Sequence, residues 1–417
     1  MKLAKKLVSI AAAGALLAGV LAGCGGTGSP APSGTTAVLP EGVPADVVQE
    51  TLGIPRGTVV ATVNGSDITA EEVLYWVGYS ADQASQYAGT INWEQDLDGI
   101  STKEYVLNNA LETAKLYEVV WQQAQERDCL LTDEDKADYE TQVSGLKEQL
   151  LSTVSDAEAA DTAEAEYLRW LAYIGISNES FDMINQTPYI FTHLKDNLFS
   201  SESLSEGDMD QWLEENGVIR AKHILVKAEA ITDEAGNVTD DGMAAALTKA
   251  NEIRAELKTG GDTEETFDEL MERYSADVGN AGTVNDPEGY IFDTEGYLLS
   301  GQGSLVTEFT NGAAALELNQ VSEPVQSTYG YHILLRLDAD TDDTRTQYSA
   351  TKMNEQADQW MEEAEVEKTA EFDKLDAEAY YTALTALRTE MSAAAQPEPS
   401  ATPSPSTTPS PSATPAA

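Results

Sequence analysis

The chain has 417 residues, with 72 acidic against 24 basic side chains and a formal net charge of −48. That length admits two or three domains. The charge excludes a nucleic-acid footprint, which has to be basic, and a lysine-rich helix lying on a membrane surface; it reads instead as a solvated surface that keeps the chain soluble.

The chain opens with "MKLAKK", which carries three lysines, and continues with the uncharged apolar "LVSIAAAGALLAGVLAG". This run is short for a membrane span and sits behind a basic cap, so residues 1–23 read as an export signal. It ends in "LAGC", with leucine three places before Cys24 and small residues between. The pattern resembles the lipobox of bacterial lipoproteins, and the resemblance implies a lipid on Cys24 and an anchor at the extracytoplasmic face of the cell membrane. The other cysteine is Cys129. With Cys24 lipidated no intramolecular disulfide is expected, and "RDCLL" points to packing for Cys129.

Residues 24–57 begin rich in Gly, Pro, Ser and Thr and read as a flexible linker. "TVVATVNGSDI" reads as a hairpin turning at Asn64-Gly65. Thr69 then reads as an N-cap, with Glu72 completing a capping box. From there to residue 217 the pattern is helical, with Val106, Ala110, Tyr117, Val120, Trp121 and Ala124 at helical spacing and a break at Gly175. His193 falls in a helix of this region and reads as a packing or surface residue.

The stretch 218–340 has another rhythm. It runs as a strand (220–227), an acidic loop (228–242), two helices (243–258 and 264–275), a long loop, a short helix (305–317) and two strands (323–326 and 330–337). The six tryptophans, Trp212 among them, lie outside it, which marks a domain boundary. Residues 341–395 return to helix, with Met353, Ala357, Trp360 and Met361 on one stripe. Residues 396–417 are a low-complexity Pro/Ser/Thr tail that cannot form a packed core and reads as disordered.

Two of the three histidines stand in matching strings, "RAKHILVK" and "GYHILLR". Alternation puts Ala221, His223 and Leu225 on one face of the first strand, and His332 and Leu334 on one face of the last. A pair of core histidines with structural hydrogen bonds would satisfy this pattern as well as a site would.

The strings "RAKHILVK", "FDELMERYSADVGNAG", "LVTEFTNGAAALELNQVSEPV" and "GYHILLR" occur in the order found in parvulin-type peptidyl-prolyl isomerases, and the resemblance covers about 120 residues. The flanking helices and "VVATVNGSDITAEEV" resemble the chaperone part of PrsA-like and SurA-like foldases. The implied fold is α+β: a parvulin domain (218–340) with an antiparallel four-stranded sheet and surrounding helices, inserted in a mainly α-helical chaperone domain made from 58–217 and 341–395. The resemblance implies a catalytic set of His223, Asp277, Ser327 and His332, and a proline pocket containing Leu305 and Phe309. It implies no metal and no cofactor. Its substrates would be unfolded exported proteins with Xaa-Pro bonds, and a homodimer stays open. Asp277 stands where many parvulins have cysteine, and Leu305 where methionine is common. The loop 282–304 is longer than the family's usual Gly-Gly-Asp-Leu-Gly, with Glu288 near the expected leucine. Residues 228–242 hold no Lys or Arg, which argues against a phosphoserine-proline substrate.

Two other functions fit the same residues. One is a holdase chaperone with a weak or inactive parvulin domain. The other is a metal site, since two histidines and Asp277 match a facial triad in residue count.

Overall fold

A computed structural model describes residues 39–153, 162–200, 204–301 and 303–394. The signal segment 1–23, Cys24, the linker up to residue 38 and the tail 396–417 lie outside the described residues. The described residues form two compact units, one drawn from the chain up to residue 197 and from residue 355 onward, the other from residues 198–354.

In the first unit, α1 (Val47–Leu52) leads into a hairpin of β1 (Val59–Val63) and β2 (Ser66–Thr69). Asn64 (φ 52°) and Gly65 (φ 86°) both adopt the left-handed backbone that a tight two-residue turn requires. Thr69 caps α2 (Ala70–Ala88), and Glu72 reaches back to complete the capping box. A two-rung hairpin, β3 (Asp96–Leu97) and β4 (Ile100–Ser101), interrupts the stretch expected to be wholly helical. Then come α3 (Thr102–Arg127), α4 (Asp133–Ser152), α5 (Ala163–Ile174) and α6 (Asn178–Phe199). Gly175, at φ 84°, ends α5 as expected. Cys129 is buried, and burial pushes its thiol up. His193, on α6, sets Nδ1 3.2 Å from the Leu130 carbonyl oxygen and Nε2 3.3 Å from the Asp135 carboxylate, a helix-fastening role.

The segment that closes this unit departs from the helical expectation for 341–395. Between the helices Asp342–Glu363 and Ala377–Ala394 lies a strand, Val366–Lys368, which pairs antiparallel with β1 to give a three-stranded sheet. Three residues are too few for a periodic signal, and their pairing partner lies at the other end of the sequence. Trp360 is buried, with the Arg127 guanidinium 5.2 Å from its ring centre.

The second unit contains α7 (Glu206–Glu215), β5 (Ile219–Lys227), β6 (Ile231–Thr232), β7 (Val238–Asp240), α8 (Met243–Gly260), α9 (Glu264–Tyr274), β8 (Tyr290–Phe292), α10 (Thr307–Ala314), β9 (Val325–Ser327) and β10 (Gly330–Leu337). The main sheet is antiparallel in the order β8-β5-β10-β9. Two segments read as loops therefore contain strands: β8, the fourth member of the sheet, and the β6/β7 hairpin inside 228–242. The unit also reaches beyond 218–340. Met209, Trp212 and Leu213 of α7 pack with Val218 and Ala339, and the Trp212 ring meets Tyr348 edge-on at 5.8 Å. Trp212 thus belongs to this unit, not outside it, because the apolar stripe of α7 finds its cover there.

β5 and β10 lie at the centre of the sheet and are buried on both faces. On one face Ile224, Val226, Ile333, Leu335 and Leu337 pack against Ile253 and Leu257 of α8 and Phe267, Leu270 and Met271 of α9. Lys222 emerges on this side, with its ammonium 2.8 Å from both Glu264 and Asp268. On the other face Ala221 and Leu334 pack against Phe292, Phe309 and Ala313. The two histidines share that second face.

Candidate active site

The antiparallel register sets Leu334 opposite His223 and His332 opposite Leu225. The histidines are therefore diagonal neighbours, not facing ones. Diagonal partners are within reach of ring side chains. The rings lie nearly parallel, 16° apart with centres 5.3 Å apart, and their Nδ1 atoms meet at 3.1 Å.

Asp277 comes from the chain leaving α9. The Ala276 N–H donates to the Leu225 carbonyl oxygen, and the Leu225 N–H to the Ser275 hydroxyl, so this segment is fastened along β5. Asp277 Oδ2 lies 2.7 Å from His223 Nε2. Ser327 ends β9 and sits in the short turn into β10. Its hydroxyl lies 2.7 Å from His332 Nε2 and accepts from the Tyr329 N–H. The structure thus brings His223, Asp277, Ser327 and His332 into one line of contacts. Both ring nitrogens of each histidine are engaged by protein atoms.

The order of protons along the line follows from its ends. Burial works to raise the Asp277 carboxyl, but donors from His223, Tyr290 and Asn285, with the charge of His223, outweigh it and hold the group at about 2. An ionised carboxylate only accepts, so His223 carries its proton on Nε2. His223 Nδ1 can then accept from His332 Nδ1, and His332 Nε2 from the Ser327 hydroxyl. Burial, then the neighbouring His223, pushes His332 down to about 4 against the pull of Asp277. His332 is therefore neutral at pH 7.

Apolar side chains close around this line. Phe309, 1% exposed, stands edge-on to His223 at 5.1 Å and to His332 at 5.6 Å, and contacts Phe292 at 5.6 Å. Leu305 is half-buried and packs into the same cluster, with Leu298 and Tyr290. The two residues expected for a proline pocket therefore meet on the histidine face. Glu288 does not form a pocket wall: its side chain is exposed, and its backbone oxygen accepts from the Arg220 guanidinium. Leu298, from the long loop, packs in this cluster.

Two residues of the site were absent from the sequence expectation. The Tyr290 hydroxyl donates to Asp277 Oδ2 at 2.8 Å, and the Asn285 amide to Oδ1 at 2.8 Å. The alternation in "GYIF" held a clue to Tyr290, since it puts Tyr290 and Phe292 on one face; nothing local marks Asn285.

Residues 223–338 match the family model described as Rotamase, the PPIC-type PPIase domain. The chain is 25% identical over 282 residues to the foldase protein PrsA of Caldanaerobacter subterraneus subsp. tengcongensis, covering 67% of this chain and 72% of that one. It is 26% identical over 348 residues to the foldase protein PrsA of Clostridium kluyveri, covering 76% and 89% respectively. A parvulin-like PPIase of Rickettsia typhi is 31% identical over 149 residues, 35% of this chain and 40% of that one.

Proposed function

From the premise that this chain is a PrsA-like foldase carrying a parvulin-type peptidyl-prolyl isomerase domain, we propose that its second unit isomerises Xaa-Pro bonds of unfolded exported proteins on the face lined by Phe309 and the histidine pair. The observation that carries this reading is the unbroken line Asp277–His223–His332–Ser327 set against buried apolar side chains.

A prolyl amide resists rotation by ~18–20 kcal/mol because resonance holds it planar. Twisting removes the resonance and with it much of the amide dipole. A dry apolar surface disfavours the polar planar form more than the twisted one, which is differential stabilisation of the transition state. Phe309, Leu305 and Leu298 supply that surface. The polar line beside them keeps fixed donors and acceptors, and its one charge is spread over three donors at Asp277. No covalent step is needed.

His332→Ala and Asp277→Ala are expected to slow isomerisation of a short Xaa-Pro peptide by about tenfold or more, a barrier change of ~1.4 kcal/mol, while suppression of client aggregation persists. Unchanged rates in both variants would refute the assignment. Aggregation suppression without any isomerase activity in the unaltered chain would favour the holdase reading.

The lipobox-like "LAGC" behind a basic apolar segment supports export and anchoring through a lipid on Cys24. Cys24→Ser is then expected to move the protein from the membrane fraction to the medium or periplasm; full retention in the membrane would count against the anchor.

A further inference from the structure

Tyr290 sits on β8, opposite Ala221 in the register, so the edge strand delivers it beside β5. Its hydroxyl reaches the same Asp277 oxygen that His223 uses, and the Asn285 amide takes the other. The ring also stands edge-on to His223 at 5.7 Å and to Phe309 at 6.3 Å. Asp277 therefore accepts from three side-chain donors, and two of them are not histidines.

A carboxylate with a single imidazole partner becomes a stronger base and favours an imidazolium beside it. Each further donor shares the negative charge and weakens that pull. The two extra donors thus act on the histidines without touching His332. We propose that Tyr290 is a positioning residue of the isomerase, its hydroxyl saturating Asp277, together with the Asn285 amide, so that the carboxylate accepts from His223 Nε2 and draws no second proton into the histidine pair.

The titratable groups facing the pair are Asp277 and Tyr290, with Asp286 acting on Tyr290 from the turn before β8. Lys222, next to His223 in sequence, is turned to the opposite face and held by Glu264 and Asp268. Burial, then the bond to Asp277, raises the Tyr290 phenol far above its ordinary range, so it stays a donor at any working pH. Tyr290 was the notable omission of the sequence pattern, and this role accounts for a polar group on an otherwise apolar edge strand.

The inference rests on the isomerase reading for its functional meaning, but its test reads the histidines directly. The full chain with nitrogen-15 histidine would be titrated by ring-nitrogen correlation spectroscopy, with the ring signals assigned through His193→Gln. Tyr290→Phe keeps the ring and removes the hydroxyl. It is expected to raise the protonation midpoint of the His223–His332 pair by about one pH unit, and Asn285→Ala to raise it likewise, which covers the case of a poorly folding Tyr290 variant. In an Asp277→Asn background Tyr290→Phe is expected to add no shift. The acid limb of the isomerase pH profile should move upward with the midpoint. A native spectrum with an unmoved midpoint in Tyr290→Phe and Asn285→Ala, or an equal shift in the Asp277→Asn background, would overturn the proposal. A shifted midpoint in a chain whose unaltered form does not isomerise would overturn the functional reading and leave this one standing.

Discussion

His332 is the residue whose surroundings most alter its chemistry. Burial and His223 push it from an ordinary 6.5 to about 4 in the folded chain. Between those values the unfolded chain binds the proton more readily, so stability rises with pH across the window and falls as pH drops from about 6.5 to about 4. Asp277 acts lower: with the folded group at about 2 against 3.8, its stabilisation is complete above about 3.8 and is lost as pH falls towards about 2. Removing His332 should isolate the first window. The unfolding free energy of the unaltered chain minus that of His332→Gln is expected to shrink by about 3 kcal/mol between pH 7 and pH 4, measured by urea titration. A difference independent of pH would show that His332 titrates normally in the folded protein.

At the scale of the element, the β9–β10 turn fixes the position of His332. Gly330 begins β10 at φ 134°, opposite Lys227. A Cβ there would overlap the Val226 carbonyl oxygen and come within 2.7 Å of Ala228 N, and neither is a side-chain end that can swing away. Gly330→Ala is expected to cost at least about 2 kcal/mol and to disturb His332, two residues on. Gly236→Ala, at φ 83° in the exposed β6–β7 turn with open space around it, should cost about 1 kcal/mol and leave isomerisation intact. Similar losses of activity in both variants would separate activity from the β5–β10 register. The long strands were legible in the sequence because β5 and β10 each carry an apolar run with a repeated tripeptide. β8 and Val366–Lys368 were not: each has three residues and forms only because a distant strand offers unpaired backbone groups. The four polar residues of the histidine line follow from a family pattern, whereas the diagonal stacking of His223 on His332 depends on register, and register is not written in either strand alone. Tyr290 and Asn285 come from a loop whose length departs from that pattern.

For the whole molecule, the division into two units gives a direct test. Replacing residues 198–354 with a Gly/Ser linker retains Trp76, Trp93, Trp121, Trp170 and Trp360 and removes Trp212 with the unit it packs in. The shortened protein is expected to unfold cooperatively, with blue-shifted tryptophan emission, and to suppress aggregation without isomerase activity. Red-shifted emission with no cooperative transition would show that the first unit cannot fold without the second. The pairing of β1 with Val366–Lys368 also imposes a timetable. The Thr369 hydroxyl reaches the Val59 carbonyl across 310 residues of chain. At ~5–20 residues per second of synthesis, that interval lasts about 15–60 s. For all of it the outer edge of β1 waits without its ladder partner, an exposed strand of the kind that recruits other chains. The wait matches the tens of seconds an uncatalysed prolyl bond takes to turn, so a newborn copy of this protein passes through the same hazard as the clients it is proposed to fold.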